Sequence, residues 1–445
     1  MPSPILFPAA SAAALALAFA APAPAPAPEE AAAAAYETPP VLQASDFLAP
    51  ALLKGPNHEI APSVTNDGVF NLYKITTPNG NYDTQGTSLV PVRVGEINAI
   101  AALKDLDKIA VGAKGVAGAV IDSGKGAVQI VTHPVATVIG LGDGAKRLFG
   151  RITRGVRRAS EQESSESKSG GKQVADTSRN IAEQLIGVNY AVRTWAKKLN
   201  VDPYTPNVLL HDELLMVARY DAGGRLTIKA APIGAVGTAL GAAATVNDLV
   251  WEKDPDELQT LNEKRLTAMG ATPEQSRAFR LNRNYGLSRQ TALVAHLDAV
   301  EGVPGRADFV ERAADAASDA DAQFWVEASA LVDDFHHKEA PLEAIAPDVP
   351  GACGNARGGR FACFFALDYV VWTESVAAHF ERLTAKARTD FPKSRREVWV
   401  TGRVSPRTAS ELAQREWTVR AQAAVAPPAA PTPGAAAPSP GAAKP

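Results

Sequence analysis

The chain has 445 residues, of which 46% are hydrophobic and 21% charged, with a formal net charge of -3. That length suits two or three ordinary domains, and the balance is that of a globular protein; it excludes a wholly unfolded chain and a polytopic membrane protein. It also excludes recognition of an acidic or basic partner by overall charge, leaving that role to local patches.

Residues 5–20 are almost wholly apolar and rich in Ala and Leu, and Ala18-Phe19-Ala20 gives the small-x-small pattern of a signal-peptidase site. The stretch before Ile5 departs from the usual pattern in carrying no Lys or Arg. Residues 1–20 therefore read as a signal peptide, and the expected destination is the periplasm or the extracellular space. Residues 21–40 are Pro/Ala-rich, as is the 421–445 tail, and both compositions suit extended spacers. After the leader no run of about 18 uncharged apolar residues occurs, so no transmembrane span is expected in the mature chain.

Residues 41–159 form the first expected unit. Residues 67–76 are β-rich, Pro78-Asn79-Gly80-Asn81 carries turn chemistry, and residues 82–94 read as a return strand, giving a β-hairpin. Residues 96–108 follow as a helix with Ile97, Ile100, Leu103 and Leu106 on one face. Residues 109–141 are rich in Gly, Ala and Val and are broken at His133-Pro134; they read as a helical hairpin, either buried or in contact with lipid. Lys146 to Arg158 then holds six cations and no acid. At about 100° per residue, Arg147, Arg151, Arg154 and Arg158 fall in one stripe, with Leu148, Phe149, Ile152 and Val156 roughly opposite. A basic amphipathic helix of this kind suits an anionic membrane surface or a partner protein, and Arg147, Phe149, Arg151, Arg154 and Arg158 are the candidate contact residues. A solvated arginine face over a core contact fits the same pattern. Export removes nucleic acid as a partner.

Residues 160–171 are Ser/Glu-rich and end in Gly-Gly, a linker. Residues 172–340 read as a helical bundle. Ile181, Leu185, Val188, Val192, Trp195 and Leu199 make one apolar seam. Prolines 203 and 206 stop that helix, and Asn207 can cap the next. The uncharged run 230–246 is expected as a buried core helix. Thr272-Pro273-Glu274-Gln275 is a capping-box start, Ser288 starts another helix, and two more are expected near residues 306–317 and 319–335.

Residues 341–420 change character. A β-type run at 361–372, a helix capped by Thr373, a strand at 397–401, a helix from Ser405-Pro406 and a strand at 417–419 make a small β-α-β-α-β unit with parallel pairing. Cys353 and Cys363 flank Gly358-Gly359, where two strands can fold back and bring the sulfurs together. A structural disulfide is expected, worth about 2–3 kcal/mol on the chain-entropy model. The fold class is α+β: a mainly helical body, an N-terminal β-hairpin and the small C-terminal unit.

Motifs for chemistry are sparse. There is no GxSxG elbow and no HExxH helix. Residues 118–125 have the wrong spacing for a phosphate loop, and Gly140-Leu-Gly142-Asp-Gly144 lacks the strand and later acid of a dinucleotide site. Asp333, Asp334, His336, His337 and Glu339 hold metal-ligating chemistry, but neighbours on a helix point about 100° apart, and a solvated helix end is the simpler reading. No metal and no cofactor is expected. The sequence points to an exported envelope protein acting by binding, with an unrecognised hydrolase or a protein-binding helical scaffold as alternatives.

Overall fold

The computed structural model of the protein describes residues 35–113, 178–220, 244–347 and 349–423. The expected leader, the linker up to residue 34, the Gly-rich run beyond Ala113, the basic stretch from Lys146 to Arg158, the 160–171 linker, most of the 230–246 run and the tail beyond Ala423 lie outside the described residues. The architecture is α+β, with an N-terminal antiparallel sheet, helices, and a C-terminal mixed sheet.

The N-terminal hairpin joins β5 (Asn71–Thr77) to β6 (Gly80–Gln85) across Pro78-Asn79, with Thr77 opposite Gly80. Gly80 has φ 135°, a region that only glycine enters freely. The hairpin is the centre of a six-stranded sheet. The other edge of β5 pairs with β3 (His58–Ile60) and β4 (Ser63–Asn66), while β1 (Leu42–Gln43) adds to β4 and, after the short helix α1 (Pro50–Leu53), β2 (Lys54–Gly55) adds to β3. Alternation along β5 buries Tyr73 and Ile75 against Val90, Val94 and Ile97 of α2 (Leu89–Ala113).

That contact corrects one expectation. The return strand ends at Gln85, and helix, not strand, begins at Leu89. Gly86 at φ 98° breaks the strand. Pro91 then sits in the first helical turn, where the N–H it lacks would have no partner anyway. Val90, Val94 and Ile97 then share one helical face, while Val92 points away from it.

Three helices form a bundle, α2, α3 (Ser178–Leu199) and α4 (Val208–Tyr220), and α5 (Ala244–Glu252) meets it at Trp251. Ala99, Ile100 and Leu103 of α2 pack with Val192, Trp195 and Leu199 of α3 and Leu210, Leu214 and Val217 of α4, with Val188 at the margin. The start of α2, the end of α3 and the start of α4 meet at Glu96, whose carboxylate accepts hydrogen bonds from Thr205 Oγ1 (2.6 Å) and Asn207 Nδ2 (2.9 Å). Asn207 also caps α4 by accepting from the Leu210 N–H at 3.3 Å.

The helical body continues with α6 (Pro255–Ala268), α7 (Pro273–Leu281), α8 (Gly286–Ala299), α9 (Arg306–Ala314) and α10 (Asp319–Lys338). The capping box at Thr272 and Gln275 is formed in both directions. Ser288 does not start its helix. Gly286, at φ 64°, opens α8, and the Ser288 hydroxyl is buried two residues further on, where it donates to the Asp202 carboxylate.

The C-terminal sheet runs β13-β11-β9-β8-β7. The strands β9 (Arg360–Phe365), β11 (Arg395–Val400) and β13 (Trp417–Arg420) pair in parallel through α11 (Glu374–Asp390) and α12 (Pro406–Gln414). Thr373 and Ser405 cap those helices through their hydroxyls. Within residues 341–420, two antiparallel strands, β8 (Ala352–Ala356) and β7 (Leu342–Ile345), add to the expected β-α-β-α-β elements. Cys353 lies directly opposite Cys363 in the β8–β9 pairing, and the two form a disulfide. Phe335 of α10 packs edge-on to Phe364 and Trp399 of the sheet, so one apolar core crosses the expected boundary at 340/341.

The β-type run ends at Phe365, short of Trp372. The chain turns at Leu367 and Asp368 into the short strand β10 (Tyr369–Val370), which pairs in parallel with β12 (Arg403–Val404). The Asp368 and Tyr369 N–H groups donate to Val69 O at 3.0 and 3.2 Å, and the Val371 N–H to Gly68 O at 3.0 Å, docking the N-terminal sheet on this turn.

Candidate functional site

The docking turn closes a small pocket. Three parts of the chain line it. The link between β5, β6 and α2 supplies Phe70, Gln85 and Ser88; α10 supplies Gln323, Phe324 and Glu327; the turn after β9 supplies Ala366 and Asp368. Two carboxylic acids therefore share one hollow of mixed polar and apolar lining.

Asp368 is held by backbone. Its Oδ2 accepts from the N–H groups of Asn71 (2.8 Å) and Thr87 (3.0 Å), and its Oδ1 also accepts from Thr87 at 3.0 Å. Burial raises its pKa to about 7, and the nearby Glu327 adds to the rise; the bonds from Asn71 and Thr87 favour the carboxylate without offsetting these. Glu327 is raised as well, again chiefly by burial, with Gln323, Ser88 and Arg289 opposing the shift. Gln323 Nε2 donates to Glu327 Oε1 at 2.8 Å. Around them, the Tyr73 hydroxyl lies 2.8 Å from Thr87 Oγ1, and Gln85 Nε2 donates to Asp67 Oδ2 at 2.7 Å. Burial lifts the Tyr73 phenol to about 12.

A charged spine runs from this pocket to the foot of the bundle. Asp319, at the start of α10, pairs with Arg289 of α8 and with Arg93 of α2, and Arg93 also pairs with Glu96. Burial opposes the Asp319 charge, but Arg289 and Arg93 outweigh it and hold the carboxyl below its usual range. Asp202, beyond Glu96, shows the opposite balance: burial raises its pKa although Ser288 and the Tyr204 N–H bond it. Arg193 of α3 reaches Asp254 at 2.5 Å, and the Tyr204 hydroxyl donates to Lys253 O at 3.0 Å, so α5 returns toward the same foot.

The acid and histidine run on α10 is divided among separate partners. Asp333 meets His296 and His337, each at 2.9 Å; Asp334 pairs with Lys338 at 2.7 Å; Glu339 is 3.6 Å from Arg360. His336 Nδ1 accepts from the Leu342 N–H at 3.0 Å. Among the described residues no group of three or more His, Cys, Asp or Glu is placed to hold a metal ion.

The candidate contact residues Arg147, Phe149, Arg151, Arg154 and Arg158 lie outside the described residues. Asp368 and Glu327 were not singled out by motif, yet each leaves a trace in the sequence. Asp368 interrupts the apolar run from Phe361 to Trp372, and Glu327 is the one acid in the apolar stretch from Phe324 to Val332. An acid inside an apolar segment is either buried with partners or marks an irregular turn.

No protein-family model matches the chain, and no curated protein or solved structure matches it significantly. Among the described residues, no helix is long and apolar enough to cross a membrane.

Proposed function

We propose that this is an exported envelope protein that works by binding, and that it contacts an anionic membrane surface through Arg147, Phe149, Arg151, Arg154 and Arg158. The single observation that carries this reading is where the intervening chain leaves and rejoins the bundle. At its foot, α2 begins, α3 ends and α4 begins around Glu96. The helices pack along one another, so Ala113, Ser178 and Tyr220 lie at the opposite end. The 25 residues of α2 extend about 37 Å at the usual rise per residue. In sequence, the basic stretch falls between Ala113 and Ser178, the two helix ends farthest from the Glu96 bonds.

Sedimentation of the full chain with vesicles of phosphatidylglycerol and phosphatidylcholine tests this. Binding is expected at low salt, weakening as salt screens the charge. Replacing the four arginines with Glu is expected to abolish it. A wild-type protein that ignores these vesicles at low salt overturns the lipid reading.

The hydrolase alternative draws on one observation, two raised carboxyls at one pocket. Backbone N–H groups engage both oxygens of Asp368, which suits a structural carboxylate better than a catalytic one. The binding reading is the better supported.

A further inference from the structure

We infer that the uncovered half of the C-terminal sheet, where Arg395, Trp399 and Arg420 stand on one face, docks an extended acidic segment of a partner protein. The inference does not rest on the membrane reading.

Topology exposes this face. Strands β9, β11 and β13 are parallel and adjacent in chain order, so right-handed connections place α11 and α12 on the same side. That side holds Phe361, Phe365 and Trp417. Phe365 meets Phe380 of α11 edge-on, and Trp417 Nε1 donates to Thr384 Oγ1 at 2.8 Å. Side chains alternate along a strand, so the other side carries Arg360 and Phe364 of β9, Arg395, Glu397 and Trp399 of β11, and Thr418 and Arg420 of β13. There α10 covers β9 and reaches Trp399, with the Phe335 ring 5.1 Å from that of Phe364 and 5.5 Å from that of Trp399. Arg395, Thr418 and Arg420 are exposed, and Trp399 is half-buried. Parallel strands are ordinarily covered on both faces, so among the described residues β11 and β13 lack their second layer.

The chemistry of the face selects its occupant. Its acid, Glu397, is taken by Arg360 at both oxygens, at 2.8 and 2.6 Å. Trp399 Nε1 donates to the same carboxylate at 3.2 Å, which fixes the indole. Nearby acids are committed as well, Glu339 to Arg360 and Glu416 to Arg388 and Arg396. Among the described residues Arg395 and Arg420 form no ion pair, and the face therefore carries spare positive charge. Arg395 stands four residues before Trp399, about 13 Å along the strand, and Arg420 is in register with Trp399. An immobilised, partly exposed Trp between arginines is the composition of an interface centre, and its charge calls for an acidic partner. The form of that partner follows from the edge. β13 ends the sheet, and its outer side pairs with no described strand. An extended chain added there gains backbone hydrogen bonds and places every second side chain on the face of Arg420. A lipid surface fits less well, because the one bulky apolar group beyond the cover of α10 is Trp399, already held by Phe335 and Glu397.

Poly-L-glutamate is the probe. It is titrated at neutral pH and low salt into the full chain carrying Glu at positions 147, 151, 154 and 158, so that the basic stretch cannot account for binding. Binding is expected, with a change in tryptophan emission that Trp399→Phe removes. Arg395→Glu with Arg420→Glu is expected to weaken it by about tenfold or more. The same charge change at Arg277 and Arg283, exposed on the helical body, should leave affinity within about twofold. Absence of binding, equal weakening by the two charge reversals, or an emission change retained in Trp399→Phe would overturn the inference. So would loss of anionic-vesicle binding when Arg395→Glu and Arg420→Glu are placed in the otherwise wild-type chain, which would make this face a lipid contact.

Discussion

Arg93 of α2 pairs with Asp319 at the start of α10, 226 positions later in the chain, and the same carboxylate also takes Arg289 of α8. One acid thus ties the foot of the bundle to the helical body. Asp319→Asn removes the shared carboxylate from Arg289 and from Arg93, which keeps Glu96, and is expected to destabilise by about 3 kcal/mol, read from denaturant midpoints. Because the Asp319 pKa is held down, its contribution is present above 3.8 and is lost as pH falls through the lower folded value. Acid unfolding of the wild type should show this loss, and the Asn variant should not.

The Cys353–Cys363 bond is almost fully buried, at 1% and 0% exposure. Reductant added to the folded protein is expected to leave it intact, and thiol labelling should appear only as the protein unfolds. Replacing both cysteines with Ser is expected to cost about 2–3 kcal/mol.

Glu37 straps the entry of the described chain to the C-terminal sheet. Its carboxylate accepts from the Trp372 N–H at 2.8 Å and the Ser405 hydroxyl at 2.6 Å, next to the starts of α11 and α12. Negative charge is favoured at such helix starts. Glu37→Ala is expected to lower stability by about 1–2 kcal/mol and to expose residues 35–37 to proteolysis, while Glu37→Gln should recover part of the loss.

Gly402→Ala tests the turn at Asp368 that docks the N-terminal sheet. The new Cβ must displace the Asp368 carbonyl, and Gly402 also donates its N–H to Leu367 O at 2.8 Å. The expected outcome is loss of protection at Asn71 and Thr87 beyond the loss seen at strand β13, read by hydrogen exchange.

Much of the fold was legible because its signals are local. The capping box at Thr272, the caps at Thr373 and Ser405, and the glycine pair between the cysteines each act within a few residues. The start of α2 reads as strand because Val90, Val92 and Val94 have strand propensity, whereas the burial of Val90 and Val94 against Tyr73 and Ile75 is a tertiary fact. Ser288 was read as a cap because nothing local announces Asp202, 86 positions away. The Asp368–Glu327 pocket was invisible for the same reason. Its parts come from three distant segments, and only the oddity of an acid inside an apolar run hinted at it.

The most direct measurement of the binding account is deuterium uptake of the full chain with and without anionic vesicles. The account predicts protection concentrated in peptides covering residues 146–158, with the C-terminal sheet unchanged. Uptake that vesicles leave unaltered in that stretch, or protection spread evenly over the C-terminal sheet, would contradict it.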